Sequence, residues 1–212
     1  MKLNLPNKLT VLRLTLVPVF VIVLMIPTQT VQGYFITTIV GMLIFGLASY
    51  TDHLDGKIAR ERNLITDFGK FLDPLADKFM VLGALIVALY RYGNIRFIYT
   101  WAVLIVVFRE LAVTSMRLMV SGSAHIVIAA NKLGKIKTGS QVTCILATYL
   151  EPLIYETINL IGGDSVRESG VMQFLVKYPP LTYLCIAVMI VFTVWSGINY
   201  ILTYWKYLDP NK

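Results

Sequence analysis

Histidine and cysteine are nearly missing from this chain, with two of each in 212 residues. His53 and His125 are too few and too scattered to build an imidazole metal site. Cys144 and Cys185 both fall in apolar stretches and read as core thiols, not as a disulfide. No Ser–His or Cys–His pairing offers a covalent nucleophile, so any group transfer is expected to proceed by direct displacement. Charge is scarce too: 15% of residues are charged, against about 25% in soluble domains. Internal repeats and low-complexity tracts are absent. What fills the space is apolar: 57% of the chain is hydrophobic and mean hydropathy is +0.69. These values describe an all-α polytopic membrane protein whose length suits one domain, residues 1–212.

The charge that is present is unbalanced, with 19 Lys and Arg against 12 Asp and Glu and a net charge of +7. In a membrane protein such an excess reports cytoplasmic loops and contact with anionic lipid. Without a basic soluble module, nucleic acid is not an expected partner.

Six transmembrane helices are predicted. A short amphipathic N-terminal segment, residues 1–13, leads into a first span near 9–26, and a second runs from about 33 to 50 and on into a polar stretch. A third begins at Thr66 or Asp67 and ends near Tyr90; the others cover about 97–120, 137–161 and 180–205. The loops divide the cations unequally. Thirteen, among them Lys8, Arg60, Lys135 and Lys212, fall on one side, and four, Arg91, Arg96, Arg167 and Lys177, on the other. The positive-inside rule puts both termini and the polar stretch on the cytoplasmic side of the plasma membrane. In helices three and four the uncharged runs 79–90 and 97–108 flank one turn, and charge begins beyond each at Asp77–Lys78 and Arg109–Glu110. Two helices polar at the same depth predict a cytoplasm-facing polar cavity.

The polar stretch is residues 52–77, DHLDGKIARERNLITDFGKFLDPLAD, which holds Asp52, Asp55, Asp73 and Asp77. Spacings of three and four place each pair on one helical face. Two such helices facing each other gather four carboxylates, an arrangement suited to two hard divalent cations, Mg²⁺ or Mn²⁺. Gly56, Ala59 and Gly69 follow the same faces and leave room for a bulky group, and Arg60 is placed to meet a phosphate.

The pattern Asp52-x2-Asp55-Gly56-x2-Ala59-Arg60-x8-Gly69-x3-Asp73-x3-Asp77 resembles the signature of the CDP-alcohol phosphotransferases at all eight fixed positions. Asn7-x2-Thr10-x2-Arg13, the pair Arg109-Glu110 and the run GKIKT at 134–138 resemble the phosphatidylglycerophosphate synthases within that family. The resemblance covers most of residues 5–140, while the last 70 residues read as generic apolar helix. It implies CDP-diacylglycerol as donor, glycerol 3-phosphate as acceptor, CMP as leaving group, and a homodimer among membrane lipids. It assigns metal binding to Asp52, Asp55, Asp73 and Asp77, with Asp77 also the catalytic base. Asn7, Thr10, Gly56, Ala59, Arg60, Thr66 and Gly69 would hold the donor. Arg109, Arg117, Lys135 and Lys137 would form the basic pocket for the acceptor phosphate. A cardiolipin synthase using phosphatidylglycerol is the alternative within the family. A cation transporter is the alternative outside it, although it gives no reason for Gly56, Ala59, Arg60 and Gly69.

Overall fold

The first helix begins where the sequence supplies a cap. The Asn4 side chain accepts the Asn7 N–H at 3.0 Å, and Pro6 lies in the first turn, where a missing N–H costs nothing. From there α1 runs unbroken over Leu5–Met25, through Pro18. Residues 5–13, expected as an interfacial lead-in, are thus the first turns of the span itself.

The computed structural model describes residues 4–61, 66–124 and 132–205. Among these residues α1 is followed by α2 (Val31–Glu61), α3 (Asp67–Arg91), α4 (Arg96–Ala124), α5 (Lys132–Arg167), α6 (Gly170–Lys177) and α7 (Pro180–Tyr204). No strand occurs among the described residues. Among the described residues four stretches are long and apolar enough to cross a membrane: Leu5–Met25, Val31–Asp52, Arg96–Arg117 and Gly170–Tyr204. The expected third and fifth spans fall in α3 and α5, which are long enough but are not among these four. The protein is therefore a helical membrane protein, with two of its long helices carrying much of its polar chemistry.

The chain packs as two compact units, residues 1–93 and 94–212. In the first, α1 lies against both α2 and α3. Gly41 permits the first contact: a Cβ there would stand 2.6 Å from Leu24 Cδ2. Phe20 and Phe45 fill the same seam with ring centroids 5.9 Å apart. Arg91, at the end of α3, ties off this unit. Its guanidinium donates to the Leu24 carbonyl at 2.8 Å, to the Tyr34 carbonyl, and to the Thr37 and Thr38 hydroxyls at 2.9 and 2.7 Å. It thereby satisfies a carbonyl that the end of α1 leaves without an intrahelical partner. Thr66 caps the other end of α3, accepting the Gly69 N–H at 3.1 Å.

In the second unit α7 packs on α4 and α5. The stretch 162–170, between the expected fifth and sixth spans, breaks at Gly163, whose φ of +67° and ψ of −165° suit glycine, and again at Glu168 and Ser169. Helix continues to Arg167, and Ser169 then caps the unanticipated α6 through Met172 N–H. The start of α7 has Pro179 as N-cap and no side-chain cap of its own. Glu151 of α5 replaces it. This carboxylate, 4% exposed, accepts Leu181 N–H at 3.0 Å, Thr182 N–H at 2.6 Å, the Thr182 hydroxyl at 2.7 Å and the Tyr155 hydroxyl at 2.6 Å. A buried anion is tolerated because four donors and the positive end of a helix surround it. Glu151→Ala strands these donors and is expected to cost about 2–4 kcal/mol, read as a lowered Tm in detergent, whereas Glu151→Gln retains one acceptor oxygen and should cost less.

Candidate active site

The site in the first unit is built by one face of α1. Asn7, Thr10 and Arg13, at three-residue steps, are 6%, 1% and 0% exposed. In an otherwise apolar helix each buried polar side chain needs a partner, and each has one across the interface. The Asn7 amide donates to the Thr66 hydroxyl at 2.9 Å and accepts from it at 3.1 Å. The Thr10 hydroxyl donates to Asp73 Oδ1 at 2.7 Å. Arg13 Nη1 meets Asp52 Oδ1 at 2.6 Å and Asp77 Oδ1 at 3.4 Å. Rising positions on α1 meet rising positions on α3, so the two helices run in the same direction with α2 between them in sequence.

Arg13 sets the electrostatics. It joins the first and last aspartates of the polar stretch, from α2 and α3, through one guanidinium. The Asp52 and Asp77 side chains are 43% and 53% exposed, while the arginine beneath them is fully buried. Two carboxylates held this close repel, and a shared cation offsets that repulsion most strongly where water is excluded. The sequence placed Arg13 on the same face as Asn7 and Thr10, in a segment whose resemblance implies nucleotide binding, but paired it with no aspartate. Its signal was a cation in the third turn of a predicted span, where a charge requires an interior partner.

Other assignments fare differently. Gly69 is buried, and a Cβ there would lie 2.9 Å from Asn7 Oδ1, so its lack of a side chain is used by the approach of α1 to α3. Asn7, Thr10, Thr66 and Gly69 do assemble, though in this structure they engage one another and Asp73. The side chains of Asp55, Gly56, Ala59 and Arg60 lie outside the described residues, although α2 runs through these positions. Among the described residues no three acidic, histidine or cysteine side chains form a metal cage. The donor chemistry of Asp52 and Asp77 would nonetheless suit a hard divalent cation: both offer carboxylate oxygens, and the two converge on one positive charge.

In the second unit Arg109, Arg117 and Lys137 come together and Lys135 does not join them. Arg109 donates from Nη1 to Glu110 Oε1 at 3.1 Å and from Nη2 to Ser196 Oγ at 2.6 Å. Lys137, 6% exposed, pairs with the same Glu110 oxygen. Arg117 donates to the Tyr200 hydroxyl. Lys135 is exposed and, two residues from Lys137, stands on a different face of α5. The last 70 residues are thus not generic. The buried stripe of α7 includes Thr193, Ser196, Gly197 and Tyr200, and Gly197 gives way to Arg109, whose Cγ would lie 3.2 Å from a Cβ there. Polar and small residues at helical spacing in an apolar helix were the available sign.

The sequence profile of the CDP-alcohol phosphatidyltransferase family matches residues 3–208. A Bacillus subtilis protein named CDP-diacylglycerol–glycerol-3-phosphate 3-phosphatidyltransferase is 36% identical over 99% of this chain and 99% of its own. Proteins of the same name from Wigglesworthia glossinidia brevipalpis and Haemophilus influenzae are 34% and 32% identical, over 82% and 95% of this chain and 91% and 93% of theirs.

Proposed function

The chain belongs to the CDP-alcohol phosphatidyltransferase family, and from that premise we propose that it transfers the phosphatidyl group of CDP-diacylglycerol to glycerol 3-phosphate, yielding phosphatidylglycerophosphate and CMP. The observation that carries the reading is the convergence of Asp52 and Asp77 from two helices onto one buried cation, within a chain aligned end to end with relatives named for that reaction.

The reaction is an in-line displacement. A glycerol 3-phosphate hydroxyl oxygen attacks the phosphorus that carries the diacylglycerol, a new P–O bond forms, and the bond to the CMP oxygen breaks with its electron pair leaving on CMP. Asp77 receives the hydroxyl proton. Two divalent cations held by Asp52, Asp55, Asp73 and Asp77 would neutralise the diphosphate and the departing CMP. Arg13 holds Asp77 and Asp52 in place from below, and Thr10 orients Asp73. Asn7 and Thr66, with Gly56, Ala59, Arg60 and Gly69, form the donor side. Arg109, Arg117 and Lys137, with Lys135 nearby in sequence, supply the positive charge that a phosphate-bearing acceptor needs.

The membrane arrangement belongs to the same proposal. α3 and α5 serve as two further spans, making six, because 25 and 36 residues exceed the roughly 20 needed to cross a bilayer. The protein presents a polar cavity to the cytoplasm, both termini are cytoplasmic, the chain forms one family domain, and it works as a homodimer.

Purified protein supplied with CDP-diacylglycerol and Mg²⁺ should release CMP and form phosphatidylglycerophosphate when given glycerol 3-phosphate, and not when given phosphatidylglycerol, serine or inositol. CMP release with phosphatidylglycerol alone would reassign the chain as a cardiolipin synthase.

A further inference from the structure

We propose that Tyr200 of α7 is a positioning residue that holds Arg109 and Arg117 as one anion-binding group for the acceptor phosphate. The proposal rests on the reading of glycerol 3-phosphate as acceptor and deepens it.

Arg109 and Arg117 are eight residues apart on α4, a rise of about 12 Å. Left to themselves, two cations at that spacing would extend into separate surroundings. Both instead bend to one ring: the Arg109 guanidinium lies 5.7 Å from the Tyr200 centroid and that of Arg117 5.2 Å. The ring is buried, at 3% exposure, and its hydroxyl accepts an Arg117 N–H. Tyr200 therefore grips Arg117 at two points, face and hydroxyl, while Arg109 is fixed by the ring and by Ser196.

Like charges gathered over one ring repel each other, and the attraction of each to the ring offsets that repulsion only in part. The cluster holds Arg109, Arg117 and Lys137 against Glu110, a formal balance of three positive and one negative, or +2. That balance matches a phosphate monoester, which carries about −1.5 to −2 at neutral pH. A second observation points to a ligand. Arg109, whose side chain is 10% exposed, has its Nε buried without a hydrogen-bond partner among the described residues. A buried donor on a buried cation is costly unless an acceptor arrives. Glu110 occupies Nη1 meanwhile and keeps the cluster from carrying its full charge.

The test separates positioning from mere packing. Tyr200→Phe keeps the ring and loses the hydroxyl; Tyr200→Leu loses both. In steady-state kinetics Tyr200→Phe should raise KM for glycerol 3-phosphate about tenfold, and Tyr200→Leu about a hundredfold, as expected for charge-assisted contacts. KM for CDP-diacylglycerol and kcat at saturating acceptor should stay near those of the unaltered protein in Tyr200→Phe. Equal rises in both KM values, or a fall in kcat alone, would overturn the proposal. Calorimetric titration of the detergent-solubilised protein with inorganic phosphate reads the same group without turnover. Tyr200→Phe should weaken that binding about tenfold, and unchanged binding would also overturn the proposal. If the unaltered protein binds phosphate yet does not use glycerol 3-phosphate, the acceptor assignment fails while the role of Tyr200 still stands or falls on the titration.

Discussion

Asp77→Asn is expected to lower kcat by at least about 10²-fold, the range typical of losing a positioned general base, while binding of CDP-diacylglycerol survives in part. Asparagine keeps the size of the side chain and an oxygen that Arg13 can hold, so the junction of α1, α2 and α3 should persist. What disappears is the ability to take a proton from the attacking hydroxyl. The measurement is single-turnover CMP release beside equilibrium binding of the donor. A variant with near-normal kcat would move the base elsewhere, and one that neither binds nor turns over would make Asp77 a structural anchor. The longer contact of Asp77 with Arg13, at 3.4 Å, favours retained donor binding with lowered kcat, because Asp52 at 2.6 Å remains to satisfy the guanidinium.

Arg13→Met should affect both stability and turnover. Methionine replaces the aliphatic stem and removes the charge, leaving Asp52 and Asp77 without their shared cation. Removing one member of a fully buried pair costs roughly 3–5 kcal/mol. Here the carboxylates are 43% and 53% exposed, so solvent screens part of the loss, and about 1–3 kcal/mol is the better expectation. Turnover should fall about tenfold or more as the base loses its orientation, since small misplacements of reacting groups are expensive. A divalent cation distinguishes the explanations. Mn²⁺ should raise the Tm of Arg13→Met more than that of the unaltered protein, because the ion then takes over a neutralisation that arginine no longer provides. Equal increases in the two proteins would mean that Arg13 is not what holds these aspartates together.

The legible parts of this protein were those governed by local rules. Thr66 as the start of α3 was readable because an oxygen three residues ahead of a donor makes a cap. The continuation of α2 through Asp52 and Asp55 was readable from spacings of three and four on one face. Asn7, Thr10 and Arg13 were visible as a face, though not as the face that α3 meets. The extent of α1, the helix α6 and the run of helix past Gly163 were not legible. Each depends on caps and partners such as Asn4, Ser169 and Glu151, which compete with the plain reading of polar residues as loop.

By itself the sequence determined that this is a helical membrane protein, since a chain so apolar and so poor in charge has few other ways to satisfy its backbone. It also determined the family, because eight residues at fixed gaps define a surface before any folding is known. Only the tertiary structure decided which cation faces which anion. Arg13 and Asp77 are 64 residues apart, and Arg109 and Ser196 are 87 apart. Helical periodicity fixes the face on which a side chain stands, but the helix packed against that face is chosen by complementarity summed over whole surfaces: glycines 41 and 197 where backbones and side chains approach, and buried polar groups that must find partners. Those sums involve every residue of an interface together, so no short stretch carries them.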